Sequence, residues 1–124
     1  MEWITESGVA RISVVIPDDL VLDMFDAVDV PRGSTGIDPY RDSELRGLHL
    51  VTLRDNVARA IDARRTLVRS EILDQLHRAH VEAWMEDMIA TRQRSDRMLA
   101  KLEEVKTLLE LAILESACVH VLGD

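Results

Sequence analysis

The spacing of apolar residues divides the chain into a strand-like start, a loop and a long helical remainder. Residues 2–6 (Glu-Trp-Ile-Thr-Glu) and 9–16 (Val-Ala-Arg-Ile-Ser-Val-Val-Ile) predict two strands, the second rich in β-branched residues. Ser7-Gly8 between them suits a tight turn. Pro17 stops the second strand and fits the first position of a helix, where Asp18 and Asp19 meet the positive end of the helix dipole. Leu20, Met24, Ala27 and Val28 recur at helical spacing with Phe25 beside them, so a short helix is expected from 17 to about 28. Residues 29–40 hold two prolines and two glycines and read as a loop. Within it, Gly33-Ser34-Thr35-Gly36 has the composition of a phosphate-binding backbone nest, but it lacks the lysine and spacing of a P-loop, and a plain loop is expected.

Between Gly47 and Gly123 there is neither glycine nor proline. Thr52 with Asp55 resembles a capping box. After it, Val57, Ile61, Val68, Ile72, Leu76, Ala79 and Ala83 fall on one helical stripe, supported by the acid-before-base pairs Asp55–Arg59 and Asp74–Arg78. A helix is expected from about 53 to about 91. The run 91–97 has no apolar residue and predicts a turn, with Ser95 as cap, where a last helix over 97–122 folds back antiparallel. Met98, Leu102, Val105, Leu109 and Ile113 form its stripe. From Leu111 onward apolar residues surround the axis, which demands cover by an oligomer or a partner. The expected fold class is mainly α (α+β): residues 1–48 form a short β-hairpin or ribbon and a short helix, and residues 49–124 form a long antiparallel helical hairpin for interaction and oligomerisation.

A second apolar face of the long helix carries His77, His80, Val81, Trp84 and Met88. The interface candidates are therefore Trp84, His77, Val81 and Met88 there, and Leu111, Leu114, Val119 and Leu122 at the apolar end. Trp84 is the expected anchor, because buried aromatic residues dominate binding energy. Asp74, His77 and His80 lie three apart, but the spacing is not His-Glu-x-x-His, so no metal and no cofactor is expected. Cys118 is the only cysteine, which excludes an intramolecular disulfide and fits a reducing, cytoplasmic setting; on an apolar helix it reads as an inert buried thiol. No P-loop, dinucleotide fingerprint, Gly-x-Ser-x-Gly or Cys-x-x-Cys occurs, so no enzyme is expected. Neither a signal-peptide pattern nor an apolar span of bilayer length is present, so no membrane partner is expected.

The formal net charge is −8, unevenly spread. Residues 1–30 carry seven acids against Arg11 alone, whereas residues 31–80 hold nine arginines and seven acids. The whole chain argues against non-specific nucleic-acid binding, which phosphate neutralisation drives. Its acidity serves solubility, or else the recognition of a basic protein partner or the mimicry of DNA.

Residues 11–28, Arg-Ile-Ser-Val-Val-Ile-Pro-Asp-Asp-Leu-Val-Leu-Asp-Met-Phe-Asp-Ala-Val, resemble the start of a ribbon-helix-helix protein. The resemblance implies a ribbon made of one strand from each of two chains, entering the DNA major groove with Arg11, Ser13 and Val15 outward and Ile12, Val14 and Ile16 toward the core. Residues 41–46 (Arg-Asp-Ser-Glu-Leu-Arg) are similar to the start of that family's second helix. The loop 29–40 and the strand 2–6 depart from the pattern. Two functions are thus expected in order. The first is a non-enzymatic interaction protein that oligomerises, as a dimer or higher, or docks a protein partner through its long helices. The alternative is a ribbon-helix-helix-type DNA-binding dimer (a repressor, antitoxin or plasmid-maintenance accessory) or an acidic inhibitor of the immunity type.

Overall fold

The computed structural model describes residues 1–8, 10–79 and 85–123, with the side chains of all of these except 76–79. The fold is mainly α with a small antiparallel sheet. In chain order it contains β1 (Glu2–Ser7), β2 (Ala10–Val15), α1 (Asp18–Val28), β3 (Ser43–Leu45), α2 (Leu48–Ala79), α3 (Met85–Ser95), α4 (Arg97–Leu114) and β4 (Val119–Leu122). The strands are ordered β2-β1-β4-β3, each antiparallel to its neighbour. Trp3 pairs with Val14 on one side and Val121 on the other, and Thr5 with Ile12 and Val119. This register sends Trp3, Val14, Val119 and Val121 to the inner face, where α4 packs on β1 and β2 and α2 lies along α4. The main core draws on residues from Met1 to Val121, so the stretches 1–48 and 49–124 share it.

The first hairpin and first helix follow the sequence expectation. Gly8 takes φ +55° after β1, a conformation open to glycine, and Pro17 sits at the N-cap of α1 with Asp18 and Asp19 in the first turn. Three elements differ. Residues 41–46, compared above with a helix start, contain β3. The long helix begins five residues earlier than expected, directly after Gly47, because Leu50 and Leu53 belong to the core stripe. The expected turn at 91–97 is only the joint at Asp96. α3 already runs back along α2, with Arg69 paired to Glu86 and Gln93 bonded to the Arg65 carbonyl.

The end of the chain departs most. The helix expected to 122 stops at Leu114, where Glu115 caps it and Ser116 takes φ +52°. Val119, His120, Val121 and Leu122 then alternate inward and outward as β4. The alternation removes the difficulty of an all-round apolar helix. Val119 and Val121 reach the core through the sheet, and His120 and Leu122 face out.

Asp96 ties the helices together. Its carboxylate accepts the Leu99 amide at 2.9 Å as the N-cap of α4, and takes a two-pronged bond from Arg64 at 2.9 and 2.7 Å. Arg64 holds the Asp96 pKa below the usual 3.8, with burial opposing and the Leu99 amide assisting. A pKa depressed by folding contributes stability that is complete above 3.8 and is lost as pH falls through the lower folded value. Asp96→Ala is expected to cost about 2–3 kcal/mol in denaturant unfolding, the sum of a lost cap and a lost charged bond. Asp96→Asn, which keeps a cap acceptor, should fall between, and its deficit should narrow as the pH is lowered below 3.8.

Candidate functional site

The outer face of the sheet brings together Arg11, Ser13 and Val15 of β2. Opposite them on β1 stand Glu6, Ile4 and Glu2. His120 and Leu122 of β4 and Glu44 of β3 complete the face. Three carboxylates therefore share it with one guanidinium, and Arg11 is itself 3.5 Å from Glu6. A field of that sign opposes phosphate. Along one edge β2 is hydrogen-bonded to β1 of the same chain, and its other edge is the end of the sheet.

At the far end of the sheet the structure makes a cluster that sequence reading missed. Cys118 is not on a helix but in the turn before β4, half-buried, with its carbonyl held by the Thr5 hydroxyl at 2.9 Å. Its Sγ lies 3.4 Å from His120 Nε2, and His120 Nδ1 lies 3.9 Å from Glu44. Glu44 also pairs with Arg46, and this bond, with a smaller effect of Cys118, raises the Arg46 pKa above its ordinary value. The thiol opens on a cleft of about 370 Å³ walled by Leu48, Leu50, Val51, Ala112 and Ile113. The imidazole is within hydrogen-bond reach of the thiol. The signal in the sequence was the two-residue spacing of Cys118 and His120, which brings the pair to one side only in an extended backbone.

The glycine-bearing loop does form a nest, and the chain fills it. The Asp29 carboxylate accepts the Gly33 amide at 2.7 Å and the Thr35 amide and hydroxyl at 3.0 Å each. Burial works against the Asp29 charge, but these bonds outweigh it and lower the pKa. Ser34 is further held by Asn56 of α2 at 3.1 Å. The amides a phosphate would use are thus occupied by an internal anion.

The third candidate is the arm made by the later part of α2 and by α3. Among the described residues the main core takes nothing from α2 beyond Ile61 and nothing from α3. The arm has its own cluster, Ile72 and Ile89, with Leu73 and Met85 partly buried against them. Leu67 and Met88 are exposed on it, Met88 by 41%. Of the expected interface residues, Met88 is on this arm. His77 is on α2 with its side chain outside the described residues, and Val81 and Trp84 lie outside them altogether, as does His80. The other four do not form one surface. Leu111 is half-buried on α4, Leu114 is 78% exposed just before the turn, Val119 is wholly inside the core and Leu122 is on the outer sheet face. Among the described residues no group of three or more His, Cys, Asp or Glu is placed to hold a metal, and no helix is long and apolar enough to cross a membrane. Comparison with known proteins finds no family model, curated protein or solved structure that matches this chain.

Proposed function

We propose that this chain is a non-enzymatic interaction protein whose α2–α3 arm docks a protein partner. The observation that carries this reading is the exposed apolar pair Leu67 and Met88 on an arm whose described residues stand outside the main core. Among the described residues the arm buries Val68, Ile72 and Ile89, with Leu73 and Met85 partly buried, and none of them joins the main core. Leu67 and Met88 are the apolar side chains that a partner covers on docking.

Photo-crosslinking in the native cell tests the reading. A photoreactive residue at 67 or at 88 is expected to give a crosslinked protein adduct, whereas one at Ser13 or Glu110, both exposed and away from the arm, is expected to give none. Absence of adducts at both arm positions overturns the proposal, as does equal adduct yield at all four.

A further inference from the structure

We infer that the partner on this arm is a second copy of the same chain, joined by antiparallel contact of the two α3 helices; the inference rests on the arm being a docking surface. The inward side of α3 is fixed by three observations. Ile89 is buried against Ile72, Glu86 pairs with Arg69, and Gln93 bonds the Arg65 carbonyl. Helical geometry then places Asp87, Thr91 and Arg94, spaced four and three residues apart, on one stripe of the opposite side. All three are exposed. Neither Asp87 nor Arg94 forms an ion pair among the described residues; Arg94 makes only a 3.4 Å bond to the Thr91 hydroxyl. Met88 flanks the stripe.

The stripe is acidic at its start and basic at its end. Parallel copies would set like charges together. An antiparallel pair, with its two-fold axis near residues 90 and 91, sets Asp87 of each copy opposite Arg94 of the other. The same surface is then complementary to itself, as a two-fold interface requires. Thr91, short and uncharged, stands near the axis, where a long side chain would meet its own copy.

Charge exchange tests this arrangement. Wild-type protein is expected to sediment as a dimer. Asp87→Lys places Lys against Arg94 at both ends, and Arg94→Glu places Glu against Asp87, so each variant alone is expected to raise the dimer dissociation constant about tenfold or more. Mixed in equal amounts, the two single variants are expected to form a heterodimer, because every contact then joins opposite charges. The double variant Asp87→Lys/Arg94→Glu is expected to recover the homodimer. Far-UV circular dichroism of each variant separates lost pairing from lost helix. A wild-type monomer overturns the inference, as does a dimer that is indifferent to both single variants or singles that fail to pair when mixed. If an adduct forms at position 88, which flanks the stripe, but has a mass other than twice the chain, the docking reading stands and the second copy is overturned. If no adducts form at either position, both fall.

Discussion

Val121→Asp is expected to prevent folding, whereas Leu122→Asp, one residue further on, leaves the fold intact. β4 is an inner strand, bonded to β1 on one side and β3 on the other. Val121 pairs with Trp3 and Ser43 and is wholly buried. A carboxylate there has no described basic group beside it in the core, and an unpaired buried charge costs several kcal/mol even after relaxation. Loss of valine burial adds about 1.5–3 kcal/mol. Together these take up most of the 5–15 kcal/mol that holds a typical domain folded. Leu122 is on the outer face and 38% exposed, so a carboxylate at that position reaches water. Far-UV circular dichroism with denaturant titration reads the contrast. An intact, cooperative Val121→Asp protein would contradict the sheet register, and equal damage from both substitutions would contradict the alternation.

That contrast also explains which parts of the fold were legible in the sequence. β1, β2 and α1 are close in sequence, joined by Ser7-Gly8 and stopped by Pro17, so local chemistry was enough to read them. Val119, His120, Val121 and Leu122 satisfy a helical and a strand pattern equally well. What decides between the two is pairing of β4 with β1 at the other end of the chain, which no local pattern carries. The three-residue β3 is in the same position: its hydrogen bonds come from β4. The helical hairpin was legible from its apolar stripe and the absence of glycine and proline, but the place of its reversal was not. The polar run 91–97 looked like a turn, yet its polar residues serve Asp96, Arg64 and Asp19 at the α3–α4 joint. Arg97, for example, reaches Asp19 of α1 at 2.8 Å.

The candidate surfaces divide in the same way. Met88 was legible because its exposure depends on one helix period. Placing Leu111, Leu114, Val119 and Leu122 together on one apolar helix end assumed a helix to 122, whereas the helix stops at Leu114 and Val119 and Leu122 lie on opposite faces of β4. The approach of Cys118 to His120 and Glu44 depends on three separate features: the end of α4, the start of β4 and the docking of β3. None is visible from the spacing of two residues in a presumed helix. The Asp29 nest was half legible. The glycines announced the backbone shape, but the anion that fills it is an aspartate four residues earlier, at the end of α1.

Trp3→Ala is expected to cost about 3–5 kcal/mol, the usual range for removing a large aromatic side chain from a core. Trp3 is 0% exposed and stands between Val14 of β2 and Val121 of β4. Its indole Nε1 is buried and meets no acceptor among the described residues. A buried donor without a partner costs about 1–3 kcal/mol. Trp3→Phe removes that donor while keeping an aromatic ring, so the released penalty offsets much of the lost volume, and the cost is expected to stay below about 1.5 kcal/mol. Denaturant unfolding of the two variants beside wild type gives both values, and a Phe variant as damaged as the Ala variant would show that volume alone governs the site. The same residue decides whether the N-terminal element melts separately. Because Trp3 packs in one core with β4 and α4, its loss weakens the N- and C-terminal stretches together. Trp3→Ala should therefore still unfold in one calorimetric transition, with matching van't Hoff and calorimetric enthalpies; two resolved transitions would mean that the β-hairpin and the helices are held by separable interactions.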